Sequence, residues 1–169
     1  MNDGRVSHDF DQRFERRCSA FGVLFEPEIK PGANYELAVE HDGQVFVSGQ
    51  VPRIQGLIVS PGRLGDTVTL DEGRRAASLC VLRSLAILQR RLGSLARVKK
   101  VLRMNVYVHS APDFTQQSEV ADAASQILYA VFAPDGGHAR TSVGVAQLPK
   151  NAAVELDLLV GLHPGPVER

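Results

Sequence analysis

The stretch from Thr69 to His109, TLDEGRRAASLCVLRSLAILQRRLGSLARVKKVLRMNVYVH, changes period half-way along, and that change decides the fold. Its first part places Ala77, Val81, Leu85, Leu88 and Leu92 at helical spacing on one apolar stripe. Thr69-Leu70-Asp71-Glu72 has the spacing of a capping box, in which a hydroxyl and a carboxylate satisfy N–H groups at the helix start. Gly93 can adopt the left-handed backbone that stops such a helix. A helix is therefore predicted over about 71–92. From Val98 to His109 the period falls to two. Leu102, Met104, Val106 and Val108 alternate with Arg103, Asn105, Tyr107 and His109, predicting a strand with one apolar and one polar face.

Downstream, Ser110-Ala111-Pro112-Asp113 is expected to open a second helix reaching about Phe132. A turn at Ala133 to Gly137 follows, then strands over 138–146 and 153–159 around a turn at Leu148 to Asn151. Upstream, strands over 35–39 and 44–50 read as a hairpin about His41-Asp42-Gly43, because Asp-Gly supplies the positive φ of a tight turn. Residues 54–65 read as loop with at most a short strand, and Pro27, Pro31 and Gly32 mark an irregular segment. A short helix over 7–20 carries Phe10, Phe14, Cys18 and Phe21 at helical spacing, with Ser7 as a candidate cap. The expected architecture is α+β, a sheet of five or six strands with two long helices. Two helices cover only one face of such a sheet, so the other must meet water or another subunit.

Length and composition bound the rest. A chain of 169 residues suits one domain. It divides into an extension over 1–32, the domain proper over 33–162 and a tail over 163–169. Nineteen basic and nineteen acidic residues give no global attraction to nucleic acid or an anionic membrane. The two cysteines, Cys18 and Cys80, fit neither a metal-site spacing nor a disulfide framework, which suggests a reducing compartment. No apolar run approaches the roughly 18 residues that span a bilayer, and the first residues lack the apolar core of a signal peptide. A soluble, cytoplasmic protein is expected.

Pairing the last two strands as a hairpin sets Ser142 opposite Asp157 and Gly144 opposite Glu155. Arg140, Ser142, Glu155 and Asp157 would then share the uncovered face, with Thr141, Val143, Val145, Val154, Leu156 and Leu158 turned to the helices. An arginine among carboxylates there is either an ion-pair network at a subunit interface or a fork that grips a ligand carboxylate.

Two motifs carry a resemblance. Val47-Ser48-Gly49-Gln50-Val51-Pro52 resembles the SGQ-hydrophobic-Pro strand end of the Rid family, also called YjgF or reactive-intermediate deaminase family. Arg140-Thr141-Ser142-Val143-Gly144-Val145-Ala146-Gln147-Leu148-Pro149, followed by Ala153-Val154-Glu155-Leu156-Asp157, resembles its C-terminal signature. The resemblance runs from about Asn34 to Val160. It implies a chorismate-mutase-like α+β fold and a homotrimer whose sheets form a central barrel, with sites in clefts between subunits. Deaminase members hydrolyse 2-imino or enamine acids to 2-oxo acids and ammonia, without a cofactor or metal. The residue that grips the substrate carboxylate falls on Arg140, the glutamate beside a site water on Glu155, and an aromatic cleft residue on Tyr35. Ser48 lines the cleft, Ser142 stands where cysteine is often found, and Tyr107 becomes an interface or cleft residue. The loop over 53–66, the stretch over 113–138 and the N-terminal helix depart from the archetypal deaminases.

Three functions follow from this reading. The first is imine deamination; the second is a non-catalytic trimer binding a small carboxylate. The third, an RNA-directed endoribonuclease or translation inhibitor, would use Arg74, Arg75, Arg83, Arg90 and Arg91 as a basic stripe. No stacking aromatics accompany that stripe, so it reads first as a solvated outer helix face. His138 is read as a loop or interface residue, His41 as a turn residue and Cys80 as core. Asp135-Gly136-Gly137 lacks the lysine and spacing of a phosphate loop.

Overall fold

Thr69 opens the first long helix as its sequence requires. Its hydroxyl accepts from the Glu72 N–H at 3.3 Å, and the Glu72 carboxylate accepts from the Thr69 N–H at 2.8 Å. Gly93 closes the helix at φ 80°. The structure, a computed structural model, describes residues 6–164. In chain order its elements are α1 (Val6–Phe21), β1 (Ala38–His41), β2 (Gln44–Gln50), β3 (Arg53–Ile54), β4 (Leu57–Ile58), α2 (Leu70–Leu92), β5 (Val98–His109), α3 (Gln117–Phe132), β6 (Ala139–Val145) and β7 (Val154–Leu162). Ser7 thus lies inside α1 rather than before it, and residues 165–169 of the expected tail fall outside the described residues.

Five strands form one mixed sheet in the order β1-β2-β7-β5-β6. The β1–β2 hairpin turns on Asp42 and Gly43, both at positive φ. β3 and β4 make a separate two-residue hairpin in the loop expected there, turning on Gln55 and Gly56. Helices α2 and α3 cover one face, over Val45, Val47, Met104, Val106, Val108, Val154, Leu156 and Leu158, all buried. Burying each such side chain is worth roughly 1.5–3 kcal/mol. Helix α1 lies on the helical layer, where Phe10 meets Phe132 edge-on at 5.3 Å and Phe14 is buried. Asp11 anchors it by accepting from Gln89 Nε2 and the Leu95 N–H.

Three expectations are corrected. Helix α3 starts at Gln117, after the predicted opening, because the His109 carbonyl and the Ala111 N–H bond to Leu64, and the Ser110 N–H to the Val145 carbonyl, instead. Pro112 further disfavours helical backbone at Ala111. Arg83 is not on a solvated helix face. It sits in register with Cys80 and Ile87 on the inner side of α2 and is buried, with Nε donating to Gln50 Oε1 at 3.0 Å.

The third correction matters most. β6 and β7 do not pair. β5 lies between them, parallel to β6 and antiparallel to β7. The connection β5-α3-β6 is a helical crossover, which sets β6 parallel beside β5. The segment 149–151 is a 3-10 turn with Lys150 and Asn151 at positive φ, and its Asn151 carbonyl accepts from the Gly62 N–H. It carries the chain past β5 rather than closing a hairpin.

Candidate functional site

That topology separates the expected site residues. Along β5 the polar set faces away from the helices. Asn105 stands opposite Asp157 and Tyr107 opposite Glu155 on β7, and beside Thr141 and Val143 on β6. These residues share the open face. Arg140 and Ser142 align instead with Met104 and Val106 and turn toward α3. Arg140 and Glu155 therefore lie on opposite faces and two strands apart.

Glu155 gains its setting from β2. The ladder between β2 and β7 shifts register between Val47 and Gln50, and Gly49 sits in the irregularity. A β-carbon on Gly49 would overlap Glu155 Oε1, so only glycine lets the carboxylate lie against this strand. Burial, and then the neighbouring Asp157, push the Glu155 carboxyl above the usual carboxylate range. Asp157 itself is occupied: it accepts from Asn105 Nδ2 at 2.9 Å and from the Tyr107 hydroxyl at 3.3 Å. Burial and Asp157 together raise the Tyr107 phenol, which keeps it a donor. Glu155 opens into a cavity of about 290 Å³, lined also by Tyr35, Gln50, Arg53, Arg83 and Lys150. Tyr35 precedes β1 rather than starting it, and its hydroxyl accepts from the Gly32 N–H at 3.4 Å. Ser48 does not line this cavity. Its hydroxyl donates to the Glu36 carbonyl at 2.6 Å and pins the chain leading into β1.

Arg140 forms a second cluster on the helix side. Its Nη1 donates to Asp122 Oδ1 at 2.7 Å and to Ser125 Oγ at 3.0 Å, both on α3. His138 completes the chain of bonds. Its Nδ1 lies 2.9 Å from the Gly136 carbonyl, which can only accept, so Nδ1 carries the proton. Its Nε2 lies 3.0 Å from the Ser125 hydroxyl, which also accepts from Arg140. Ser142 lies beside Arg140 on the same side, 3.4 Å from the Ser118 hydroxyl.

The sequence reading missed several of these partners. Gly49 and Gln50 stood inside a recognised motif without a stated role. In the fold Gly49 makes room for Glu155, and Gln50 braces Arg83. Asp122, Ser125 and Arg53 left no local signal, because their relevance depends on which strand lies beside which helix.

Comparison with known proteins adds to this geometry. The family model described as "YjgF/chorismate_mutase-like, putative endoribonuclease" matches residues 15–162. The chain is 44% identical over 152 residues to Protein TCP17 of Trypanosoma cruzi, covering 89% of this chain and 95% of that one. It is 28% identical over 131 residues to a 2-iminobutanoate/2-iminopropanoate deaminase of Dermatophagoides farinae, covering 78% and 88%. The crystal structure of Atu1372 from Agrobacterium tumefaciens, a protein of unknown function, superposes with a TM-score of 0.84 at 33% identity, covering 92% and 96%.

Proposed function

The chain belongs to the YjgF/chorismate mutase-like family, and on that premise we propose that it hydrolyses small 2-imino acids to 2-oxo acids and ammonia, in clefts between the subunits of a homotrimer. The observation that carries the reading is the Glu155 carboxylate, held against Gly49 at a cavity wall with its pKa raised. A carboxylate shifted toward neutral pH is a better general base for water than an ordinary one. The relationship to a 2-iminobutanoate/2-iminopropanoate deaminase supports the same chemistry.

Two copies are needed for a simple reason of distance. Two ladder spacings separate β6 from β7, about 10 Å. Arg140 lies three residues from Val143, which stands level with Glu155 across β5, adding about 10 Å along the strand, and the two side chains leave opposite faces. A ligand of four or five carbons cannot bridge that span within one chain. The open face offers the means of pairing copies. Val39, Phe46 and Val143 are 50%, 49% and 41% exposed there, beside Arg103 and Tyr107. Apolar side chains on an uncovered sheet face mark an association surface.

In this site Arg140 of one copy holds the substrate carboxylate with the edge of its guanidinium not used by Asp122. Glu155 of the adjacent copy takes a proton from water as the oxygen attacks the imine carbon. That proton passes to the imine nitrogen to give the carbinolamine, whose hydroxyl proton then moves to the amine nitrogen as the C–N bond breaks and the C=O bond forms, and ammonia leaves. One imine and one water give one 2-oxo acid and one ammonia.

The test generates imines in situ with an amino-acid oxidase and traps the remainder with semicarbazide. Faster loss of imine with the wild type, abolished by Arg140→Ala and by Glu155→Gln, is expected. Carboxylate binding without turnover would leave a non-catalytic ligand-binding trimer in its place.

A further inference from the structure

The cavity beside Glu155 carries more positive charge than imine hydrolysis requires. Four cations line it: Lys30, Arg53, Arg83 and Lys150. Two are answered from outside the cavity. Lys30 pairs with Glu28 at 3.4 Å, and Arg83 has Glu26 at 3.8 Å. Arg83 is also fixed by Gln50 and by the Arg53 carbonyl, to which its Nη1 donates at 3.3 Å. Its guanidinium is held below its usual pKa, first by burial and in part by the nearby Arg53 charge. Arg53 and Lys150 have no carboxylate partner among the described residues. Arg53 Nε is moreover buried without any hydrogen-bond partner. That N–H is closed to solvent, so a ligand in the cavity would meet Arg53 through its terminal nitrogens.

We infer that the Arg53 and Lys150 end of this cavity takes a second carboxylate, so that the preferred substrates are 2-imino dicarboxylic acids. This rests on the proposed deaminase reading for the reacting end of the molecule. There Arg140 of the adjacent copy holds the carboxylate next to the imine carbon, and Glu155 addresses that carbon through water. The side chain of the substrate then extends toward β3 and the turn before β7. Its terminal carboxylate meets the fork of Arg53, a planar donor pair suited to carboxylate, with Lys150 adding a point charge at the rim. Lys150 is presented there by its positive φ of 58°, which turns it out of the 3-10 segment. A cavity of about 290 Å³ is at the small end for ligand sites. It suits side chains of one or two methylenes ending in a carboxylate.

The experiment compares kcat/KM for 2-iminoglutarate and 2-iminobutanoate, each produced in situ, in the wild type, Arg53→Ala and Lys150→Ala. In parallel, calorimetry measures 2-oxoglutarate and 2-oxobutanoate binding to the same proteins. The wild type should favour the dicarboxylic imine at least tenfold, and Arg53→Ala should lower that ratio at least tenfold. Lys150→Ala, at an exposed turn position, should lower it in the same direction should Arg53→Ala fail to fold. Comparable rates on both imines, with both variants changing them equally, would overturn the inference and leave the deaminase reading standing. Turnover of neither imine, with 2-oxoglutarate still bound in preference through Arg53, would sink the deaminase reading and the substrate preference with it, leaving only the second carboxylate site at Arg53. Neither turnover nor a binding preference would end both.

Discussion

Glu155 and Gly49 face each other across the β2–β7 pair at a separation that leaves no room for a β-carbon on Gly49. The glycine of the Ser48-Gly49-Gln50 motif thus acts through its missing side chain. Gly49→Ala must push the carboxylate away or bend β2. A misplacement of about 1 Å in a reacting group can cost on the order of 10²-fold in rate. Every atom the added β-carbon would meet belongs to the Glu155 side chain, so turning the carboxylate away relieves the overlap at small cost to stability. The expected outcome is a fall of about 10²-fold in imine hydrolysis with a modest drop in Tm, read by the semicarbazide assay and by calorimetric melting. A variant with full activity would show that the position of Glu155 is not critical.

The titration of Glu155 gives a prediction of opposite sign to the usual one for carboxylates. Burial raises its pKa in the folded chain above that of the unfolded chain. Between those two values the folded state holds a proton that the unfolded state has lost. Stability therefore falls as pH rises through that window and is lowest, for this group, above it. Glu155→Gln removes the penalty. The variant should melt higher than the wild type at neutral pH, and the difference should vanish below the pKa of an ordinary glutamate. Thermal melts from pH 3.5 to 8 measure this. A variant that melts lower at pH 7 would mean that the charged carboxylate is stabilised by a partner rather than penalised by burial.

How much of this was readable in advance follows the range of the interactions. The bounds of helix α2 and strand β5 were legible almost to the residue, since the capping box, the glycine stop and the two periods are all local. A register shift at Leu102 nonetheless breaks the alternation expected along β5, and His109 is buried. The pairing of β6 was not, because adjacency in sequence favoured a hairpin, whereas the helical crossover through α3 places β6 beside β5. The error inverted that strand. Arg140 and Ser142 were expected on the open face with Glu155, yet they face α3, and Val143 is the residue exposed. An apolar set on the outer face and a polar set on the inner one is hard to infer for an edge strand. It makes sense where the inner polar groups meet Asp122 and Ser125 and Val143 stands exposed on the uncovered face. The inward course of Arg83 was hidden for a related reason: its partners Gln50 and Glu26 lie far off in sequence.

The open face yields a prediction of its own. Phe46 lies opposite Leu159 on that face and beside Val39, half exposed in the single chain. If copies associate through this surface, Phe46→Asp buries an unpaired charge against a partner, which costs several kcal/mol. The wild type should elute and scatter as a trimer, and Phe46→Asp as a monomer with the same circular dichroism. The variant should also lose imine hydrolysis, since Arg140 and Glu155 would no longer be brought together. A wild type that is monomeric at assay concentrations, yet active, would refute the shared cleft.

Asp122 and Ser125 offer the last test, because both bond the same nitrogen of Arg140 and so fix which edge of the guanidinium is free. A hydrogen bond to a charged group contributes about 1.5–3 kcal/mol when buried. This pair is partly open to water, with Asp122 about half exposed, so its share is smaller. Asp122→Asn keeps the shape and removes the charge, while Ser125→Ala removes the hydroxyl that links Arg140 to His138. Neither residue is placed to meet the reacting carbon. A positioning role predicts KM higher by about tenfold, equivalent to ~1.4 kcal/mol, with kcat changed much less. The double variant should exceed either single one by less than the product of the two, because both act through one nitrogen. If Asp122 instead competes with the substrate carboxylate for Arg140, Asp122→Asn would lower KM. The direction of that one change separates a clamp that readies Arg140 from an ion pair that substrate must break.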